Sequence, residues 1–224
     1  MAMRSFLALA AISILSIPVA AQDADSVAAY VVEPGDYRDL SDFETFHGLR
    51  INEDGTFEWA AAAGAMNRRS NGSWEAHDGY IELTTTPTPV PPEFVRSDDD
   101  RSEGAPFLMV RLPGGRGLFG IDFTLVCGDG KHISHYTQEE GWDLVPGECG
   151  DPQTLTLEDG INDVGPEYFD IRGYDGTYGL TFTLVPNDIG VIDLTGTRIM
   201  PSADGLTMVW MENPIEMVRV VPGE

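Results

Sequence analysis

Six Asp-Gly pairs, at Asp54, Asp78, Asp129, Asp159, Asp175 and Asp204, cut the chain into short pieces, and between them apolar residues recur at every second position. Asp-Gly readily takes the positive backbone angles of a tight hairpin turn. A period of two places one row of side chains on a single face of an extended strand. Phe57 and Trp59 form such a row, as do Ile81 and Leu83; Leu108, Val110 and Leu112; and Ile121, Phe123, Leu125 and Cys127. Later rows are Leu155 and Leu157; Tyr178, Leu180, Phe182 and Leu184; and Leu206, Met208 and Trp210. The nearest approach to a helical pattern is Ala60 to Gly64, and strand-forming aromatics precede it. The chain therefore reads as all-β, built mainly from antiparallel strands. The Asp-Gly spacing is irregular, which argues against a propeller or solenoid repeat.

One stretch interrupts the pattern. "TPTPVPPEFVRSDDDRSEGAP" opens with alternating prolines, which favour polyproline geometry and break sheet pairing, and continues into an acidic run. Residues 87–104 read as a Pro-rich acidic linker, with a short edge strand at Glu93 to Arg96. It separates an N-terminal β domain, 28–86, from a second domain, 105–186. About five strands are available in the first unit, too few for a barrel of roughly eight. The strands of 187–224 either close that barrel, making the second domain an insertion, or extend the second domain.

The first residues have the grammar of a cleaved leader. Arg4 supplies the positive start, Phe6 to Ile17 an apolar core, Pro18 a break, and Val19-Ala20-Ala21 the small residues a signal peptidase reads. A signal peptide is expected at 1–21, with a bacterial periplasmic or secreted product and no membrane insertion after cleavage. The apolar core is short against the ~20 residues a spanning helix needs. The 37 acidic side chains face 13 basic ones, for a formal net charge of −24, and Lys131 is the single lysine. Such a surface repels phosphate backbones and anionic lipid heads, so nucleic acid is an unfavourable partner.

"TLVCGDGKHISHY", from Thr124 to Tyr136, gathers a cysteine, an aspartate and two histidines. In an exported protein two cysteines about twenty residues apart most often join. Cys127 shares the inward parity of Ile121, Phe123 and Leu125, and Cys149 lies in a turn able to fold back on it, so a Cys127–Cys149 disulfide is expected. A zinc site would have to recruit His132 and His135, whose odd spacing sends them to opposite faces of a strand. The sequence holds no Gly-x-Ser-x-Gly, His-Glu-x-x-His or phosphate-loop motif. Its four histidines, His47, His77, His132 and His135, lie apart or among turn residues. Asp98-Asp99-Asp100 with Glu103 lacks the alternating spacing of a calcium loop and reads as a solvated charge run. No catalytic residue, metal or cofactor is assigned. Phe57, Trp59, Trp74 and Tyr80 are the candidate ligand-facing aromatics, the alternative being that they are simply core.

Two resemblances accompany these readings. "GLFGIDFTLVCGDGKHISHYTQEEGWDLVPGE" resembles the transthyretin-like, or carboxypeptidase regulatory-like, β-sandwich. Gly120-Ile121 matches the strand entry, Asp129-Gly130 the hairpin, and Thr137 with Glu140-Gly141-Trp142 the turn. Gln138 stands where an acidic residue is usual, and the proline expected near Gly117 is missing. The resemblance covers about thirty residues and implies a noncatalytic spacer or interaction module. The N-terminal unit, with its Asp-Gly hairpin, Phe57, Trp59 and Gly72-Ser73-Trp74, is similar to the up-and-down hairpins of lipocalin-like barrels in proteobacterial envelope proteins. The expected function is a noncatalytic binding or interaction module whose partner is a protein, a glycan or a surface component. The alternative is a lipocalin-like carrier of a small apolar ligand; a hydrolase with a hidden site ranks third.

Overall fold

Alternating residues become fifteen strands and, among the described residues, no helix. The computed structural model describes residues 32–40, 44–210 and 213–221; the leader expected at 1–21 lies outside them. Five strands come from the first third of the chain: β1 (Gly35–Arg38), β2 (Thr45–Ile51), β3 (Thr56–Ala63), β4 (Met66–His77) and β5 (Tyr80–Thr85). Three come from its end: β13 (Arg198–Pro201), β14 (Gly205–Trp210) and β15 (Asn213–Arg219). Together they close a barrel in the order β1-β15-β14-β13-β5-β4-β3-β2. Closure needs both ends of the chain, because β1 pairs with β15 at Tyr37↔Arg219 and β5 with β13 at Ile81↔Ile199. Of the two arrangements left open by the sequence, the C-terminal strands complete the first unit, and the second domain is an insertion.

The barrel interior follows the period of two. Leu49, Phe57, Trp59, Leu83, Ile199 and Met208 all face inward and are fully or almost fully buried in one core. Fully burying an aliphatic or aromatic side chain of this kind stabilises by about 1.5–3 kcal/mol. The alanine run extends β3 despite its helical propensity, because pairing continues through Ala61↔His47 on one side and Ala61↔Arg68 on the other. Gly72 marks the tightest approach: a Cβ there would lie 1.9 Å from the Thr84 carbonyl oxygen on β5. A side chain at this point would force β4 and β5 apart.

The insertion is a two-sheet sandwich. Its strands are β6 (Glu93–Arg96), β7 (Leu108–Arg111), β8 (Asp122–Cys127), β9 (His132–Tyr136), β10 (Pro152–Asp159), β11 (Val164–Asp170) and β12 (Leu180–Val185). One sheet has the order β11-β10-β8-β9 and the other β6-β12-β7. Leu125, Leu155 and Leu157 of the first sheet meet Val110, Leu180 and Phe182 of the second, all fully buried. The Phe169 and Phe182 rings touch between the layers, 4.5 Å apart.

Two expectations are sharpened here. The short edge strand expected at Glu93 to Arg96 within 87–104 is β6, and it belongs to the sandwich. Its Phe94 is buried, it pairs with β12 over Phe94↔Leu184, and Asp100 forms a further bridge to Gly179. The prolines precede the strand, where no ladder bond is required of them. The sandwich is also not wholly antiparallel: β12 runs parallel to β7, from Leu180↔Leu108 to Thr183↔Arg111. A parallel neighbour needs a long crossover, and here the chain between β7 and β12 supplies it through the whole opposite sheet.

The residues that carry the transthyretin-like resemblance knit the sandwich together. The buried Thr137 hydroxyl donates to the Leu118 carbonyl (2.7 Å) and accepts from the Ile121 amide (3.2 Å). The Gly120 amide donates to the Thr137 carbonyl, and Trp142 and Leu108 exchange both backbone bonds. Cys127, at the inner end of β8, is joined to Cys149, with Cα atoms 5.7 Å apart. Lys131 adds a polar strap across the same loop, donating to the Glu148 carbonyl at 3.1 Å.

Candidate functional site

Loops at one end of the sandwich enclose a cleft of about 890 Å³. Three segments build it: 101–107, 143–152 and 174–178. The disulfide anchors the middle one at Cys149, and the Asp100–Gly179 bridge pins the other two. Tyr174 and Tyr178 form its aromatic shelf, edge to face at 5.1 Å, with Tyr174 braced against buried Phe107 at the same distance. The Arg101 guanidinium lies over the Tyr178 ring, 4.9 Å from its centre. Burial, with Tyr178 and Asp175 adding to it, pushes the Tyr174 hydroxyl above the ordinary tyrosine range, so it stays protonated as a donor and acceptor. Asp175 is fixed by the Thr177 amide and hydroxyl, which hold its carboxylate below its usual range. The lining is mainly polar and rich in glycine backbone.

The barrel carries its described groove on the outside. It measures about 430 Å³ and runs across β1 to β4 over Gly48 and Ala60, between Arg38 and Arg69. The Phe46 ring leans over Gly48 so closely that a Cβ there would meet it at 2.6 Å. Arg50 is tied to Asp36 at 2.6 Å.

The four candidate aromatics separate. Phe57 and Trp59 face the barrel interior and are 1% and 2% exposed, packed as core. Trp74 faces the same way but is only half-buried, and its indole N–H donates to the Asn52 carbonyl at 3.1 Å. Tyr80 points outward, which corrects its assignment with the other three. It sits at odd spacing from inward Ile81 and Leu83, stacks on His77 at 4.8 Å and lies under the Arg198 guanidinium.

His132 and His135 diverge, opposite Val126 and Phe123 respectively, on the edge strand of their sheet. Among the described residues no group of three or more His, Cys, Asp or Glu side chains is placed to hold a metal. The acidic run is tied locally: Asp99 pairs with Arg96 at 3.0 Å, and Asp100 accepts from the Ser102 amide and hydroxyl. Among the described residues no helix is long and apolar enough to cross a membrane.

Sequence reasoning missed Tyr174, Tyr178 and Arg101, which come together only when three loops converge. It also missed Arg68. Counting back by twos from Trp74 through Gly72 and Ser70 puts Arg68 on the inner wall of β4, where it is 3% exposed. Fold and sites together define a closed antiparallel barrel interrupted by a disulfide-linked sandwich with a loop-end cleft. No family model, curated protein or solved structure matches the chain.

Proposed function

We propose that the protein is a noncatalytic binding module of an exported, oxidising compartment, and that the loop-end cleft of the sandwich receives a neutral or amine-bearing glycan. The cleft itself carries this reading: a large, open, polar concavity with an aromatic shelf, mounted on two packed sheets. A mainly polar lining is poorly suited to lipid, since apolar ligands select apolar walls. A net charge of −24 disfavours anionic polymers. The site lies among loops rather than along an open strand edge, so it does not offer the ladder bonds by which extended peptides are captured. Tyrosine rings, hydroxyls and carboxylates suit a ligand that is apolar on ring faces and hydroxylated at its rim.

The disulfide supports an oxidising compartment, in keeping with the leader expected at 1–21. A transthyretin-like classification of the sandwich is part of the same proposal, supported by the tie among Gly120, Ile121, Thr137 and Trp142. The carrier alternative finds no support in the middle of the barrel, where Phe57, Ile81 and Leu83 are packed core.

A glycan array probed with the full chain tests the proposal. Binding is expected on neutral or amine-bearing glycans, and Tyr174→Ala and Tyr178→Ala should each weaken it about tenfold, the scale of one lost aromatic contact. A chain that binds no glycan, or whose binding ignores both substitutions, overturns it.

A further inference from the structure

Three buried side-chain nitrogens among the described residues have no hydrogen-bond partner: Nδ1 of His47, Nε1 of Trp59 and Nε of Arg68. They belong to three neighbouring strands and to one end of the barrel. On the inner wall, His47 on β2 stands opposite Ala61 on β3, and Ala61 stands opposite Arg68 on β4. Trp59 is the next inward residue of β3. With strands spaced at about 4.8 Å, the His47 and Arg68 backbones stand roughly 10 Å apart across a position filled only by a methyl group.

Leaving a buried polar group unpaired destabilises a fold, so three in one place is an arrangement that function, rather than stability, explains. Arg68 sharpens the point. Its guanidinium donates to the Ile161 carbonyl of the sandwich at 2.9 Å and more weakly to its neighbour Asn67. Among the described residues no carboxylate lies within ion-pair distance of it, in a chain with 37 acidic side chains.

We propose that this end of the barrel binds the carboxylate of a small organic acid with an apolar body, held by Arg68 and Trp59 and flanked by His47. The indole and guanidinium nitrogens can only donate, so the ligand must accept. One buried cation matches one negative charge; a dianionic phosphate would keep an unpaired charge in a dry site. Trp210, half-buried at the end of β14, packs edge-on against both His47 and Trp59 at 5.2 Å and supplies an apolar ring beside the site. The site lies at the barrel end marked by His47, Ala61 and Arg68, apart from the sandwich cleft. Because Arg68 also holds the Ile161 carbonyl, the seat lies where the inserted domain meets the barrel.

Titration of the full chain with 3-phenylpropionate, 3-phenylpropanamide and acetate tests this, read by calorimetry and tryptophan fluorescence. The acid is expected to bind, change the emission and raise the melting temperature, with the amide weaker by about tenfold, the scale of one hydrogen bond to a charged group. Arg68→Lys should weaken the acid by a similar factor. Ala61→Val, which fills the position between His47 and Arg68, should abolish binding. Absence of acid binding by the unsubstituted chain overturns the proposal without any variant having to fold. Equal binding of acid and amide overturns it, as does unchanged affinity in a folded Arg68→Lys chain. Acetate binding as tightly as phenylpropionate reduces the seat to a simple anion site and overturns the organic-acid assignment.

Discussion

The barrel is assembled from the two ends of the described chain and leaves no sheet edge, whereas the sandwich is continuous in sequence, keeps its edges and carries the disulfide. Each device compensates for what the other domain has. A closed sheet satisfies every strand through its neighbours, so the barrel needs no covalent staple. It depends instead on β15 reaching β1. The sandwich ends at β6, β9 and β11, with β6 and β9 kept short, and its fourth edge, β7, is covered by backbone bonds from Leu118 and Trp142. It anchors its longest loops covalently and through Thr137, Trp142 and the Asp100–Gly179 bridge. Stability in the barrel is therefore a property of the whole chain, and in the sandwich of its own segment.

The most damaging way to break this contrast is to remove β14 and β15. Truncation after Ser202 removes the partners of β1 and β13, exposes Tyr37 and Ile199, and leaves six of the eight barrel strands with no closure. The barrel's cooperative transition is expected to vanish, while limited proteolysis still leaves a protected fragment spanning roughly the β6–β12 segment. Survival of both transitions would show that closure is dispensable. Removing the staple acts on the other side. Cys127→Ala with Cys149→Ala should cost the sandwich about 3 kcal/mol, the loop-closure entropy expected for the 22-residue separation. The barrel transition, followed by the emission of Trp59, Trp74 and Trp210 in a Trp142→Phe background, should stay within error. Equal loss in both domains would mean that they unfold as one unit.

This division of labour was partly legible. Turn chemistry was the strongest signal: five of the six Asp-Gly pairs sit between consecutive paired strands. The sixth, Asp175-Gly176, forms a cleft loop instead, because the Asp175 carboxylate accepts from the Thr177 amide and hydroxyl and no partner strand follows directly. The β3–β4 hairpin was hidden, since its turn at Gly64 lies within an alanine run. Parity located the core residues and the disulfide, which depend on local spacing. It did not locate Tyr80, where chemical likeness to Phe57 and Trp59 outweighed an odd offset from Ile81. Which strands pair across a long separation was beyond it, as was the parallel β7–β12 contact. Arg68 was obscured by its neighbour, because an Arg-Arg doublet in a hydrophilic stretch reads as surface unless each residue's face is counted.

The smallest of the expected effects separates the domains by pH. His47 is partly buried against Trp210, and burial pushes its pKa below the ordinary histidine value, with nearby Asp39 opposing the shift only in part. Its folded pKa thus lies below the unfolded one, near 6.5. The fold prefers the neutral ring, so this contribution is complete above about pH 6.5 and is lost as pH falls through the folded pKa. Arg68, across Ala61 on the same wall, adds a positive charge facing that ring's end of the barrel. The sandwich histidines, His132 and His135, lie exposed on its edge strand, and its disulfide does not titrate. Between about pH 7 and 5.5, above the ordinary carboxylate range, the barrel should therefore lose melting temperature relative to the sandwich. His47→Gln should remove that difference, and an NMR titration of the His47 ring should give a midpoint below that of an unfolded peptide. A midpoint at or above the peptide value would place His47 in solvent and make the two domains alike in their response to acid.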